Sequence, residues 1–109
     1  MLSKKKVKTL IKDLPFFEKK VLFQVYQIPI GETRSYKWVA HAVGSPQSAR
    51  RVGNVLSKTP YPFLIPCHRV IRENGALGGY LFGVDMKRYL LNLEKKANSV
   101  IISNIDRCK

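Results

Sequence analysis

The chain has 109 residues, 45% of them hydrophobic, and sets 20 Lys and Arg against 7 Asp and Glu for a formal charge of +13. That length holds one compact domain and excludes two, and the apolar content excludes disorder as the default. Apolar runs are short, as in Pro62–Pro66, which excludes a transmembrane helix, and "MLSKKKVK" leads into no apolar stretch or small-residue cleavage site, which excludes a secretory signal and makes the cytoplasm the expected location.

Residues 1–14, or 1–15 as a domain boundary, read as a basic lead-in with room for a turn of helix. The first firm element is a helix over Phe16–Gln27, where Phe17, Val21, Val25 and Ile28 recur at helical spacing and Pro29 ends the run. "IPIGETRSY" follows as a connection with a turn at Gly31-Glu32. A short helix is then predicted from an N-cap at Ser35, with Tyr36, Val39, Ala40 and Val43 on one face and Gly44 as its stop. A second opens at Ser45-Pro46, a cap residue followed by proline at the first helical position. Its apolar stripe is Ala49, Val52, Gly53 and Leu56, and its opposite stripe is Gln47, Arg50, Arg51, Asn54 and Lys58. Two helices joined tightly, the second polar on its outer face, match a helix-turn-helix, and the net charge makes nucleic acid the expected partner.

After Lys58 the texture changes. Phe63–Ile65 and Arg69–Ile71 read as small strands with a turn at Glu73-Asn74-Gly75, and Gly78-Gly79 marks unusual backbone angles or close packing. A last helix runs from Asp85 to about Ala97, with Met86, Leu90, Leu93 and Ala97 as its buried stripe. The segment "SVIIS" in the 98–109 tail has β propensity and no evident partner. The expected fold is mostly α: a winged-helix-like domain over 16–97 with a helix-turn-helix, a small β wing and a C-terminal helix.

Two cysteines, Cys67 and Cys108, do not make a disulfide framework. A zinc site needs about four ligands, and only His41 and His68 could join them, without any CxxC or HxxxH spacing, so no metal is expected. Cys67 is followed by His68 and Arg69 and framed by Pro60, Pro62 and Pro66. A cysteine reacts as its thiolate, which a neighbouring cation favours. On these residues alone an activated thiol and inert packing both stand, and packing is the commoner fate of a lone buried cysteine.

The string "PCHRVI", with "GETRSY" and "SARRVGNVL" before it and "GALGGYLFG" and "KRYLLNLE" after it, resembles the DNA-binding and active-site domain of the alkylguanine-DNA alkyltransferases, the methylated-DNA–protein-cysteine methyltransferases. The resemblance covers roughly Phe16 to Lys95. It implies an alkylated guanine flipped from double-stranded DNA, its O6-alkyl group moved irreversibly to Cys67, and guanine as leaving group. By the same resemblance His68 acts through a water, Glu94 orients it, and Tyr36 protonates the departing guanine. Arg50 fills the gap left in the stack; Gln47, Arg51 and Asn54 of the polar stripe, with Ser48 and Tyr36, are the other expected DNA contacts. Val70, Tyr80 and Leu81 surround the guanine, and Phe82 walls the alkyl pocket. The thioether has no route to hydrolysis, so the protein reacts once, as a monomer, without a cofactor, because the damaged base is the alkyl donor.

Two departures from the family pattern stand out. Members usually carry an N-terminal α/β domain ahead of this one. Thr59 occupies a position normally held by asparagine, so a looser or differently tied turn is expected beneath Cys67. Two other readings remain: a non-catalytic alkyltransferase-like binder, in which the acceptor cysteine is replaced, and a winged-helix regulator, which leaves the cysteine motif unexplained.

Overall fold

The computed structural model describes the backbone of residues 3–107 and the side chains of residues 3–98. Cys108 lies outside the described residues.

The basic lead-in is a helix, α1, over Lys4–Leu10, capped by the Ser3 hydroxyl accepting from the Lys6 N–H. Its Val7 and the following Ile11 are fully buried against α2, Phe16–Tyr26, whose Val21, Leu22 and Val25 face inward. The lysines therefore occupy the outer face of a helix whose inner face joins the core. The Tyr61 hydroxyl donates to the Leu10 carbonyl and ties this helix to the segment leading into Cys67.

Helix α3, Tyr36–Ala42, starts where its cap residue predicts: Ser35 Oγ accepts from the Trp38 N–H at 2.9 Å. It ends in a Schellman closure, with Ser45 N–H donating to Ala40 and Gly44 N–H to His41, and Gly44 at φ +79°. That closure corrects one expectation. Ser45-Pro46 does not open the next helix: the Ser45 hydroxyl pairs with that of Ser48, and the segment forms a turn closed by Ser48 N–H on the Ser45 carbonyl. Helix α4, Ala49–Ser57, begins after Ser48, and Gln47 lies in the turn instead of on the helix. Val52 and Leu56 are buried, while Arg50, Arg51 and Asn54 are exposed.

The sheet is smaller and paired differently from the expected wing. β1, Arg34–Ser35, pairs in parallel with β2, Val70–Ile71, so Val70 is fully buried opposite Arg34. Phe63–Ile65 is not a strand. Prolines at 60, 62 and 66 remove ladder donors, and the segment folds on itself with Leu64 N–H on Pro62 and Phe63 at φ +67°. The turn at Glu73-Asn74-Gly75 is present, closed by Arg72 N–H on Ala76 at 2.8 Å.

The last helix, α5, spans Val84–Arg107, so the backbone of the "SVIIS" segment is helical. Its inner face is also one step out of phase with the apolar stripe. Met86 and Leu93 are 40% and 50% exposed, whereas Lys87 is fully buried and Glu94 is largely covered. Polar partners for Lys87 and Glu94 in the neighbouring loops set the rotation of this helix more strongly than apolar periodicity does. The turn after α2 approaches α5 at Gly31, where a Cβ would come within 2.7 Å of Asn98 Cβ. The result is a mostly helical fold, with α3 and α4 as the helix-turn-helix and α5 closing its far side.

Candidate active site and nucleic-acid interface

A cleft of about 920 Å³ runs from the outer face of α4 inward, lined by Gln47, Arg50, Asn54, Tyr36, Tyr80, Leu81 and, at depth, Cys67. Polar side chains fit for phosphates and base edges thus share one opening with a buried sulfur. Arg51 points elsewhere, its guanidinium 4.0 Å above the Phe17 ring centroid, and the Ser48 hydroxyl pairs with that of Ser45.

Cys67 opens a 3₁₀ turn, Cys67–Arg69, and is 7% exposed. Burial pushes its thiol up to about 12, against the pull of its own backbone hydrogen bond, Lys87 and a hydrogen bond from Thr59. At rest the sulfur is therefore a thiol. Thr59 is buried, and its Oγ accepts from the Tyr61 N–H at 3.2 Å. The hydroxyl proton is left for the sulfur, so threonine ties the turn through one accepted and one donated bond where asparagine would use an amide.

The 3₁₀ turn brings His68 against α5. His68 is 4% exposed, and its Nε2 lies 2.8 Å from Glu94 Oε2. Arg69 takes the same carboxylate with two hydrogen bonds, Nε to Oε1 and a terminal nitrogen to Oε2. Burial raises Glu94, but Arg69 and then His68 outweigh it and hold the carboxyl below its ordinary range. An ionised Glu94 can only accept, so His68 carries its hydrogen on Nε2. Nδ1 is buried without a hydrogen-bond partner among the described residues.

In the cleft with the sulfur, the Tyr36 ring sits between two glycines. A Cβ on Gly53 would lie 3.7 Å from the ring, and one on Gly78 would come within 3.0 Å of the hydroxyl oxygen. Lys87 Nζ donates to that oxygen at 3.3 Å and to the Gly79 carbonyl at 3.1 Å. Burial draws the amine down to about 8 and pushes the Tyr36 phenol up. Tyr80 packs edge-on to His68, with its own hydroxyl buried and unpartnered among the described residues.

Residues 16–96 match the family described as 6-O-methylguanine DNA methyltransferase, DNA binding domain. The chain belongs to this family. It is 44% identical over 80 residues to a probable methylated-DNA–protein-cysteine methyltransferase of Acanthamoeba polyphaga mimivirus, covering 73% of this chain and 53% of that protein. Against the methylated-DNA–protein-cysteine methyltransferase of Methanosarcina barkeri the identity is 46%, covering 72% and 50%. Mycobacterium tuberculosis OGT, solved in complex with DNA, superposes with a TM-score of 0.74 at 44% identity, over 75% of this chain and 50% of that one. S. pombe Atl1, solved with damaged DNA containing O6-carboxymethylguanine, superposes at 0.65 with 30% identity, over 72% and 74%. The chain spans about half the length of the curated methyltransferases it matches.

As a methyltransferase-family site, the geometry brings Cys67, Tyr36, Tyr80 and Leu81 into one cleft and joins His68 to Glu94 behind it. Val70 and Phe82 do not line that cleft. Val70 is held in the sheet, and Phe82 stacks on Phe63 with centroids 5.0 Å apart and reaches the site only through the edge of Tyr80. Lys87 and Arg69 are parts of the site that the sequence reading does not single out. The signal for Lys87 was available: a Glu94 that faces inward fixes the helix phase and places residue 87, two turns earlier, on the same face. Among the described residues no helix is long and apolar enough to cross a membrane, and no three metal-donor side chains gather.

Proposed function

We propose that this protein repairs alkylated double-stranded DNA by a single irreversible transfer of an alkyl group from the O6 of a flipped guanine to Cys67. The observation that carries the reading is a buried sulfur at the floor of a cleft that opens on the polar face of α4, with a His68–Glu94 pair and a Tyr36–Lys87 pair in the elements around it. The Cys67 proton passes to His68 Nδ1 through a water. The sulfur attacks the alkyl carbon, the carbon–O6 bond breaks, and its electron pair leaves with guanine. Tyr36 supplies a proton to the ring, replenished from Lys87. Arg50 holds the place of the flipped base, with Gln47 and Asn54 beside it at the cleft mouth. The thioether ends the reaction, so one chain repairs one lesion, with no cofactor. We place the activity in the cytoplasm, with the chain acting as a monomer.

The likeness to Atl1 supplies a second reading, binding of the lesion without transfer. Incubation with a duplex carrying one O6-methylguanine, followed by intact mass and peptide mapping, separates the two. One methyl on Cys67, absent in Cys67→Ala with DNA affinity retained, is the expected result. Tight binding with no mass change favours the second reading and overturns the first.

A further inference from the structure

Arg69 follows His68 in the chain, yet its guanidinium reaches the same carboxylate by its own route. Nε donates to Glu94 Oε1 at 2.8 Å, one terminal nitrogen to Oε2 at 2.7 Å, and the other to the Ile28 carbonyl at 2.7 Å. Both partners of the ion pair are well covered, at 12% and 14% side-chain exposure. The fork is fixed at both ends, by the backbone just past α2 and by α5. Glu94 Oε2 thus accepts from Arg69 and from His68 together.

An unaccompanied carboxylate beside a buried imidazole would draw a second proton onto the ring, because opposite charge favours the charged form. Here the carboxylate is already compensated. The groups acting on His68 are Glu94 and Lys87 from α5, Arg69 from its own turn and the ring of Tyr80, with Cys67 next to His68 in the chain. Burial first, and then Arg69 and Lys87, hold the imidazole below its ordinary value despite the pull of Glu94. What is left is a ring whose Nε2–H is spoken for and whose Nδ1 is buried and empty-handed among the described residues.

We propose that Arg69 is a positioning residue for proton removal: its fork on Glu94 keeps His68 neutral, with the hydrogen on Nε2 and Nδ1 open to the Cys67 proton. This rests on the reading of Cys67 as the alkyl acceptor. Without the arginine, Glu94 would stabilise the imidazolium, and a protonated ring accepts nothing.

The test compares wild type, Arg69→Gln and Arg69→Lys in single-turnover methyl transfer from a saturating duplex carrying one O6-methylguanine, across the range where histidine titrates. Proton NMR of the histidine ring follows His68 itself; the chain has two histidines, so a His41→Gln variant assigns the signals. In Arg69→Gln the acid limb of the rate profile and the His68 titration both move to higher pH by about one pH unit or more, while the plateau above the limb is retained. Arg69→Lys, which keeps the charge but not the fork, moves both by less. Equal slowing at every pH with an unmoved His68 titration overturns the proposal and leaves Arg69 a scaffold. If wild type transfers nothing, the reading of Cys67 fails, and the NMR titration still judges Arg69: a shift upholds the electrostatic role and no shift overturns it. Should Arg69→Gln not fold, an unmoved His68 titration in Arg69→Lys overturns it equally.

Discussion

Lys87→Met removes the amine beneath Tyr36 and keeps a flexible chain of similar length. Lys87 is fully buried and donates to Tyr36 and to the Gly79 carbonyl. Burial lowers the amine from an ordinary 10.5 to about 8, with Cys67 favouring the cation and Arg72 opposing it. A displacement of that size corresponds to about 3 kcal/mol against the charged form. The two hydrogen bonds offset about 1 kcal/mol each. Near neutral pH the methionine variant is therefore expected to be more stable than wild type, by about 1 kcal/mol.

The sign of the pH dependence follows from the same values. Folded Lys87 releases its proton near 8 and unfolded lysine near 10.5, so the folded state binds fewer protons between them. The penalty is fully present below the lower value and fades as pH rises toward the upper one. Urea unfolding at neutral pH and again above pH 8 measures this: the advantage of the variant shrinks as pH climbs. Methyl transfer by Lys87→Met falls by about 10²-fold, the scale of a lost proton donor. A variant that is less stable at neutral pH, or whose advantage does not change with pH, refutes the buried-charge argument. Full transfer activity refutes the role of Lys87 behind Tyr36.

Gly78→Ala places a Cβ at a φ of +73° and within 3.0 Å of the Tyr36 hydroxyl; it is expected to cost about 1–3 kcal/mol in thermal or urea melts and to slow transfer, whereas Gly53→Ala, with its Cβ 3.7 Å from the ring, is expected to be milder. Thr59→Val keeps the volume but leaves the Tyr61 N–H unpaired and removes the donor to Cys67, a loss of about 1–2 kcal/mol that Thr59→Ser restores, with Cys67 alkylation by iodoacetamide shifting to higher pH in the valine variant. Arg50→Ala is expected to slow transfer from duplex DNA while leaving transfer from free alkylguanine nearly unchanged, as compared in the same single-turnover assay; equal loss on both substrates removes it from the flipping step.

The helical part of the fold was legible where local chemistry decides it. Ser35 and Gly44 bound α3 because a cap hydroxyl and a left-handed glycine act within one turn. Misreadings fall where a distant contact overrides the local signal. Ser45-Pro46 has the look of a helix start, but its hydroxyl and carbonyl are taken by Ser48 in a turn. Val70–Ile71 has no strand partner nearby in sequence, since β1 lies more than thirty residues upstream. Met86 and Leu93 mark an apolar stripe that faces outward, because Lys87 and Glu94 find partners inside. In the site, Cys67, His68, Tyr36 and Glu94 were named through a motif resemblance; spacing alone left Cys67 undecided between packing and chemistry. Composition does not mark Arg69, and Lys87 shows only through its helical phase with Glu94, because each takes its meaning from groups that only the folded chain brings near.

On the proposed reading, the placement of these two basic residues explains how a deeply buried thiol can serve as a nucleophile. A thiol held near 12 would be unreactive if the protein relied on a standing thiolate. Instead His68 Nδ1, buried without a partner among the described residues, takes the sulfur's proton, and Lys87 with Tyr36 serves as the proton source for guanine. Proton loss from sulfur and proton gain by guanine are then served by different groups, and the sulfur needs no standing thiolate at rest. Burial, which disfavours the free thiolate, shields the thiol from solvent oxidants until a flipped base fills the cleft. The same burial gives Arg69 and Lys87 their leverage, since each biases the protonation state of the group it touches by position instead of by solvent.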